Sequence, residues 1–163
     1  MKRAAALALT LLTGCGLGVS DFAGAAGATR TSPWYETDDC RKSRDELGRM
    51  VLELISRCGF KAPDTLPSDD HVMTDWSLQM SPRWRESFRS RLEVEIAPGK
   101  TNGTYYVRTR SWMEVNNNSV APSDPDKAEW VGAGVTDRHK DRINEAGLRF
   151  HNMLKFRLFG LDQ

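Results

Sequence analysis

The sequence predicts an α+β fold in which two helices cover one face of a three-stranded antiparallel sheet. Two observations predict it. Two segments have apolar residues at helical spacing, and the three segments that lie between them in the chain alternate apolar with polar residues. Each helix then has one apolar stripe and each strand one apolar face. These surfaces bury each other most simply when both helices lie on the same side of the sheet, as a two-layer domain.

The first predicted helix spans residues 43–58, and its sequence marks both ends. Ser43 and Glu46 have the capping-box spacing, in which each side chain accepts a hydrogen bond from the other residue's backbone amide. Gly59 supplies the left-handed residue that ends a helix, and Phe60 can fold back on the last turn. The apolar stripe consists of Leu47, Met50, Val51, Leu54, Ile55 and Cys58.

Three segments alternate with the period of a half-buried strand. Their predicted apolar faces consist of Val72, Thr74, Trp76, Leu78 and Met80 in the first, Phe88, Ser90, Leu92, Val94 and Ile96 in the second, and Tyr105, Val107, Thr109, Ser111, Met113 and Val115 in the third. Residues 98–103 predict a hairpin loop, so the second and third strands should be antiparallel neighbours in a meander.

A long connection and a second helix follow the strands. Asn, Pro and Gly residues predict a loop over residues 116–134, in which only residues 126–130 are expected to form a helical turn. Thr136 then caps a last helix that ends at Gly160. Gly147 lies inside that helix and costs about 1 kcal/mol against Ala, so we expect a group packed closely against it. The apolar stripe consists of Ile143, Ala146, Phe150, Met153, Leu154 and Leu158.

The start of the chain predicts an export signal. Two positive residues precede an uncharged run over residues 4–12, which is too short to span a bilayer, since that needs about 20 apolar residues. The run closes on Leu12-Thr13-Gly14-Cys15, which resembles the lipobox of bacterial lipoproteins. The resemblance implies a signal peptide over residues 1–14 and a lipid on Cys15. An ordinary signal cleaved near residues 23–25 is the alternative.

A tether and one domain are predicted after the signal. Residues 15–33 are mostly Gly, Ala, Ser and Thr and should form a flexible tether, while residues 34–163 form a single α+β domain. The residue after the cysteine is Gly16 and not Asp, so the resemblance to lipoproteins implies an outer-membrane anchor. The domain would then face the periplasm.

The charge balance argues against a nucleic-acid partner, and the cysteine positions argue against a disulfide. The chain has 23 Lys and Arg against 22 Asp and Glu, so no bulk charge indicates a nucleic-acid partner. A helix over residues 43–58 is about 23 Å long, whereas bridged Cα atoms lie within about 7 Å of each other. We therefore expect no disulfide between Cys40 and Cys58.

The sequence contains no catalytic motif. There is no nucleophile elbow and no glycine-rich phosphate loop, and His71, His139 and His151 each lack a second His or Cys at metal-ligand spacing. We therefore predict no enzyme activity, no cofactor and no metal site. Glu93 and Glu95 alternate with core residues, and the arginines of the third strand predict an ionic lattice with them.

The solvent face of the third strand is the predicted protein-binding face. Tyr106 and Trp112 alternate there with Arg108 and Arg110, and exposed aromatics among arginines are typical of interfaces. The alternative is that the tether or the loop over residues 116–134 covers these aromatics.

Three short motifs resemble the BamC-like lipoproteins of the outer-membrane β-barrel assembly machinery. They are Gly59-Phe60 at a helix end, Met73-Thr74-Asp75-Trp76, and Arg89-Ser90-Arg91-Leu92-Glu93-Val94. The similarity covers roughly residues 43–115 and one domain of the two that these proteins have. It implies a helix-grip-like arrangement and a binding or scaffolding role with no catalytic residues.

We therefore expect a membrane-anchored lipoprotein whose domain binds another envelope protein during envelope assembly or maintenance and performs no chemistry. The alternative is a carrier of a lipid or small apolar ligand between the helices and the sheet. A large cavity between Trp76, Leu92 and Phe150 would favour the carrier, and a filled core would favour the scaffold.

Overall fold

A computed structural model describes residues 30–81, 86–118, 120–121, 124–132 and 137–160. The fold is α+β, with one antiparallel sheet and two helices. The strands are β1 (Arg30–Thr31), β2 (Tyr35–Glu36), β3 (His71–Met73), β4 (Ser77–Ser81), β5 (Glu86–Pro98), β6 (Tyr105–Asn116) and β7 (Trp130–Gly132). The helices are α1 (Arg44–Arg57) and α2 (Asp137–Phe159), and Pro125–Lys127 form a short 3-10 helix.

The first predicted helix is confirmed as α1, together with both of its ends. The Glu46 amide donates to Ser43 Oγ at 3.3 Å, and the Ser43 amide donates to Glu46 Oε2 at 3.4 Å. At the other end Gly59 has a φ of 87°, and the Phe60 amide donates to the Ile55 carbonyl at 3.2 Å. This is the Schellman arrangement, which turns the buried Phe60 ring back toward the helix.

The centre of the sheet is the predicted hairpin of β5 and β6, which is confirmed from the pair Phe88 and Val115 to the pair Pro98 and Tyr105. The prediction of three strands was incomplete. The first predicted strand is divided into β3 and β4, and β1, β2 and β7 lie along the other side of β6. These three strands have two or three residues each, which is too short for an alternating pattern to reveal.

The sheet begins inside the segment that the sequence assigns to the tether. Arg30 and Thr31 pair with Met113 and Trp112, and the Ser32 amide donates to the Ser111 carbonyl at 2.8 Å. The last residues of the predicted tether are therefore part of the domain. The rest of that segment, the signal peptide and Cys15 lie outside the described residues.

One face of the sheet packs against both helices. Helix α1 contacts β5, and α2 contacts β6 and β5. The apolar sets predicted for the second and third strands face this layer and are confirmed as its core, with Leu92 and Val94 fully buried. The core cluster consists of Cys40, Leu47, Val51, Leu54, Ile55, Phe60, Val72, Leu92, Val94, Ile96, Val107, Phe150 and Leu154.

Helix α2 packs closely against the sheet at Gly147, as expected from its sequence. A Cβ at this position would lie 3.1 Å from Ser111 Oγ and 3.2 Å from Cε2 of Tyr35. The Ser111 hydroxyl donates to the Ile143 carbonyl and accepts from the Gly147 amide at 3.3 Å. A side chain of β6 thus bridges two backbone groups one turn apart in α2.

The predicted apolar face of the first strand is wrong beyond Thr74. Between the pairs Met73–Glu93 and Ser77–Ser90, the outer strand advances four residues while β5 advances three. One extra residue is a β-bulge, and a one-residue shift turns every later side chain to the other face. Trp76 and Leu78 therefore lie on the face opposite to Leu92, and Leu78 is 43% exposed.

Neither helix of the described residues is both long and apolar enough to cross a membrane. Cys40 is buried beside β6 and Cys58 caps the end of α1, and both are free thiols. Burial raises the pKa of the Cys58 thiol.

Candidate functional site

The candidate site is the face of the sheet that the helices do not cover. Strands β5 and β6 place four cross-strand pairs on it: Arg89 with Glu114, Arg91 with Trp112, Glu93 with Arg110, and Glu95 with Arg108. Because strand side chains alternate between faces, the core residues between these positions fix which charged residues point outward.

The predicted ionic lattice between the two strands is confirmed. Arg108 Nη2 lies 2.7 Å from Glu95 Oε2, and Arg110 Nε lies 2.6 Å from Glu93 Oε2. A third pair joins Arg89 Nε to Glu114 Oε2 at 2.6 Å. Each of these three arginines thus has its carboxylate directly opposite on the neighbouring strand.

Glu93 is the most enclosed carboxylate of this face, with its side chain 9% exposed. Besides Arg110, it accepts from the indole N–H of Trp112 at 2.7 Å, and it lies 3.0 Å from Nε2 of His71. Burial acts to raise the pKa of Glu93, but the hydrogen bonds from Arg110, His71 and Trp112 together outweigh it and lower the pKa. Glu93 therefore stays ionised and fixes the positions of its three partners.

Two tryptophans reach this face through β-bulges. One is Trp76, at the bulge described above. The other is Trp34: between the pairs Thr31–Trp112 and Tyr35–Thr109, the outer segment advances four residues while β6 advances three. The extra residue turns Trp34 outward while Tyr35 packs against α2.

A fourth tryptophan comes from the connection after β6. Trp130 of β7 pairs with Asn116 of β6. Asn116 points to the same face of β6 as Trp112, because the two residues are an even number of positions apart. Its ring lies under the guanidinium of Arg89, at 4.8 Å from Cζ to the ring centroid. Thus β7, which the sequence did not predict, extends the aromatic surface past the edge of β6.

The four indoles and four guanidinium groups alternate in one continuous stack, which we call the Trp–Arg ladder. From Cζ to ring centroid, Trp34 lies 4.7 Å from Arg108 and 4.4 Å from Arg110, and Trp112 lies 5.0 Å from Arg110 and 5.1 Å from Arg91. Trp76 lies 4.5 Å from Arg91 and 4.6 Å from Arg89, which in turn contacts Trp130. All these distances are within the range of cation–π attraction.

Stacking leaves a defined set of groups for contact with another molecule. Arg89, Arg91 and Arg110 each lie between two indoles. Guanidinium groups therefore occupy the faces of the indole rings, and the ring edges remain for contact with another molecule. All four tryptophans are partly exposed. Stacking does not use the in-plane N–H groups of the arginines, and those of Arg89, Arg108 and Arg110 donate to the glutamates opposite them.

The structure brings together three of the four predicted face residues. Arg108, Arg110 and Trp112 belong to the Trp–Arg ladder. Tyr106 does not: it lies opposite Ala97 near the hairpin end and borders an open cavity of about 700 Å³ with Glu36, Asp39 and Lys100.

Trp34, Trp76 and Trp130 were missing from the predicted site. Pro33 before Trp34 was the available signal, because proline within a sheet marks an edge or a bulge. The alternative, in which neighbouring segments cover the aromatics, agrees with the structure in part. The segment at residues 30–36 and strand β7 do reach this face, but each adds a partly exposed indole to it.

One further cleft could bind a ligand. A cleft of about 290 Å³ lies between the end of α1, β4 and α2, and polar side chains such as Ser90, Gln79 and Arg149 form much of its lining. Within the described part of the chain, no three His, Cys, Asp or Glu side chains are grouped so that they could hold a metal ion.

No protein-family model matches the chain, and no curated protein is similar to it.

Proposed function

We propose that this protein is a lipid-anchored lipoprotein of the bacterial cell envelope whose α+β domain is a non-catalytic binding or scaffolding module. Its binding surface is the Trp–Arg ladder, and its partner is another envelope protein. The observation that carries this proposal is that four tryptophans from four different segments converge on one uncovered face of the sheet.

Such a surface has the composition of a binding hot spot. Trp and Arg are the residues most enriched among those that dominate binding energy at protein interfaces. Here the Glu93 and Glu95 carboxylates and the indole stacks already fix the arginine side chains. A partner therefore loses less free energy to side-chain ordering than it would on a flexible surface.

The anchoring part of the proposal rests on the lipobox resemblance at Cys15, and the outer membrane is proposed because Gly16 follows it. Metabolic labelling with a fatty acid tests the anchor. We expect the native chain to be labelled and a Cys15→Ser variant to be unlabelled and either released or left as an uncleaved precursor. Labelling of the variant would place the lipid elsewhere and remove this part of the proposal.

We also propose the helix-grip-like arrangement and the relationship to BamC-like lipoproteins. Both helices contact the central hairpin on one face, and the Gly59-Phe60, Thr74-Asp75-Trp76 and Arg89-Ser90-Arg91 motifs support the relationship. In this chain the last two motifs supply Trp76, Arg89 and Arg91 to one surface. This shared location supports a binding role for them.

The core supports the scaffold over the carrier. Leu92 and Phe150 are fully buried, and Trp76 lies on the other face of the sheet, so these three residues do not enclose a cavity. The cleft of about 290 Å³ near Ser90 is at the small end for a ligand pocket and is largely polar.

The test of the binding role is site-specific cross-linking in intact cells. A photoreactive amino acid replaces Trp112 in one variant and Phe156 in the other; Phe156 is 51% exposed on α2, away from the ladder. We expect a discrete cross-linked product at position 112 that is missing at position 156, and we expect Arg110→Ala to weaken it. Equal products at both positions, or none at 112, would refute the proposed surface.

A further inference from the structure

The ionic lattice of the outer face is incomplete at one position. Three of the four arginines in the Trp–Arg ladder have a glutamate opposite them, but Arg91 has Trp112 opposite it. Its Nε is buried and has no hydrogen-bond partner, and no described carboxylate lies within ion-pair distance of its guanidinium group. Across the β5–β6 hairpin, Arg91 is thus the ladder arginine that has no carboxylate opposite it.

The position of Arg91 is fixed although it lacks a carboxylate. Its Cζ lies 4.5 Å from the ring centroid of Trp76 and 5.1 Å from that of Trp112, so an indole lies on each side of the guanidinium plane. The two neighbours in the stack are themselves held, because Trp112 donates to Glu93 and Trp76 also contacts Arg89. Stacking occupies the faces of a guanidinium group and leaves its in-plane donors for a carboxylate.

We propose that Arg91 is the anion-receiving position of this face and binds a side-chain carboxylate of the protein partner. This inference rests on the proposed binding function and adds the chemistry that the partner must have. The choice of a carboxylate follows from local charge complementarity: every other arginine of the ladder pairs with a glutamate across the hairpin, and a carboxylate from outside gives Arg91 the pair that it lacks. An acidic segment of the partner, laid across the face, thus completes the lattice.

A labelled acidic peptide tests this inference directly. The full-length protein in detergent is titrated with fluorescein-labelled hexaglutamate, and binding is followed by fluorescence anisotropy. Hexaglutamine with the same label and inorganic phosphate as a competitor are the reference probes. We expect saturable binding of hexaglutamate, no binding of hexaglutamine, and little competition by phosphate at equal charge concentration.

Arginine variants with matched charge separate a local site from general attraction. Arg91→Gln should weaken hexaglutamate binding at least tenfold, and Arg91→Lys should weaken it less, because the charge stays but the planar fork is lost. Arg49→Gln removes the same charge from an exposed position on α1 and should change the affinity less than twofold. Arg108→Gln removes the same charge from the ladder, at a residue that already pairs with Glu95. It should lower the affinity for hexaglutamate less than Arg91→Gln does.

Three outcomes would overturn the inference. Equal losses from Arg91→Gln and Arg108→Gln would show that the whole face attracts anions without a specific position. Tighter binding of phosphate than of the peptide would favour a phosphate group, such as a lipid headgroup, over a carboxylate. No binding of hexaglutamate by the folded native protein would also overturn it, while a cross-link at position 112 would leave the binding function standing.

Discussion

The two faces of the sheet are formed by the same two strands but are stabilised in different ways. On the helix face, Leu92 and Val94 are fully buried under a second layer. On the outer face, Glu93 and Arg110 are covered only by their own neighbours, through ion pairs and stacked indoles. Burial by a layer removes side chains from solvent, whereas lateral pairing keeps them at the surface in fixed positions. Only the second arrangement leaves groups that another molecule can contact.

The largest effect is expected from the helix face. Leu92→Ala should lower the free energy of unfolding by about 2 to 5 kcal/mol, because it removes buried methyl groups and leaves a cavity. Denaturant unfolding measures this. The matched control is Leu148→Ala on α2, where the leucine is 42% exposed and its loss should have an effect within about 0.5 kcal/mol. Similar losses in the two variants would contradict the assignment of Leu92 to the core.

The second largest effect is expected at Glu93, the anchor of the outer face. Glu93→Gln should cost about 1.5 to 3 kcal/mol, because a charged acceptor of three hydrogen bonds is lost while its donors stay partly buried. Glu95→Gln is the control: its side chain is 28% exposed and pairs with Arg108 alone, so about 1 kcal/mol or less is expected. If Glu95→Gln costs as much as Glu93→Gln, Glu93 is not the centre of the lattice.

Acid should narrow the difference between the native chain and Glu93→Gln. The folded pKa of Glu93 is lowered, so its contribution is fully present above the unfolded pKa, about 4.3 for Glu, and is lost as the pH falls through the folded pKa. Thermal melts from pH 7 down to pH 3 should therefore show a difference that narrows toward the acid end. A difference that stays constant would show that the carboxylate is not stabilised in its charged form.

The sequence predicted the helix-covered face of the sheet well, because the spacing of apolar residues along each element alone determines it. Helix α1 carries its own caps at Ser43 and Gly59, and the regular alternation of β5 and β6 holds over its full length. The outer strands could not be predicted in the same way. A bulge leaves no change in composition at Trp76 but reverses the facing of every residue after it, so alternation placed Trp76 in the core.

The proposed binding face was predicted only in part, because alternation reveals the residues of one long strand and not those that short strands add. Arg108, Arg110 and Trp112 lie on one strand, where local alternation places them together. Trp34 and Trp130 reach them from positions 78 residues before and 18 residues after Trp112 along the chain, by pairing in strands of two or three residues. Long-range pairing of such short segments depends on tertiary context, which single-sequence patterns do not contain.

A smaller effect on stability is expected from Trp112→Ala than from Leu92→Ala. Trp112 is partly exposed, and its removal deletes one hydrogen bond to Glu93 and two stacking contacts, for which we expect about 1 to 2 kcal/mol in total. The fold should remain while the cross-link to the partner, with the photoreactive group at position 76 in place of Trp76, is weakened. If Trp112→Ala unfolds the domain as completely as Leu92→Ala, the ladder is a structural element and not a docking surface.

The smallest effect is expected from His151, which reports on the helix layer. Its ring lies beside Tyr35, with 5.9 Å between centroids. Burial lowers the pKa of His151, the charge of Lys155 lowers it further, and Asp38 opposes both.

The unfolded chain, with a His pKa of about 6.5, therefore takes up this proton before the folded chain does. Stability should fall slightly as the pH falls from 7.5 to 5.5. Thermal melts of the native chain and of His151→Gln over this range should show a fall in the native chain that is smaller in the variant. His71, beside Glu93 on the outer face, is the same in both proteins, so the difference between them isolates the helix layer from the outer face. If acidification stabilises the native chain relative to His151→Gln, the protonated ring has a partner in the fold, and its contact with Tyr35 is not the environment that sets its pKa.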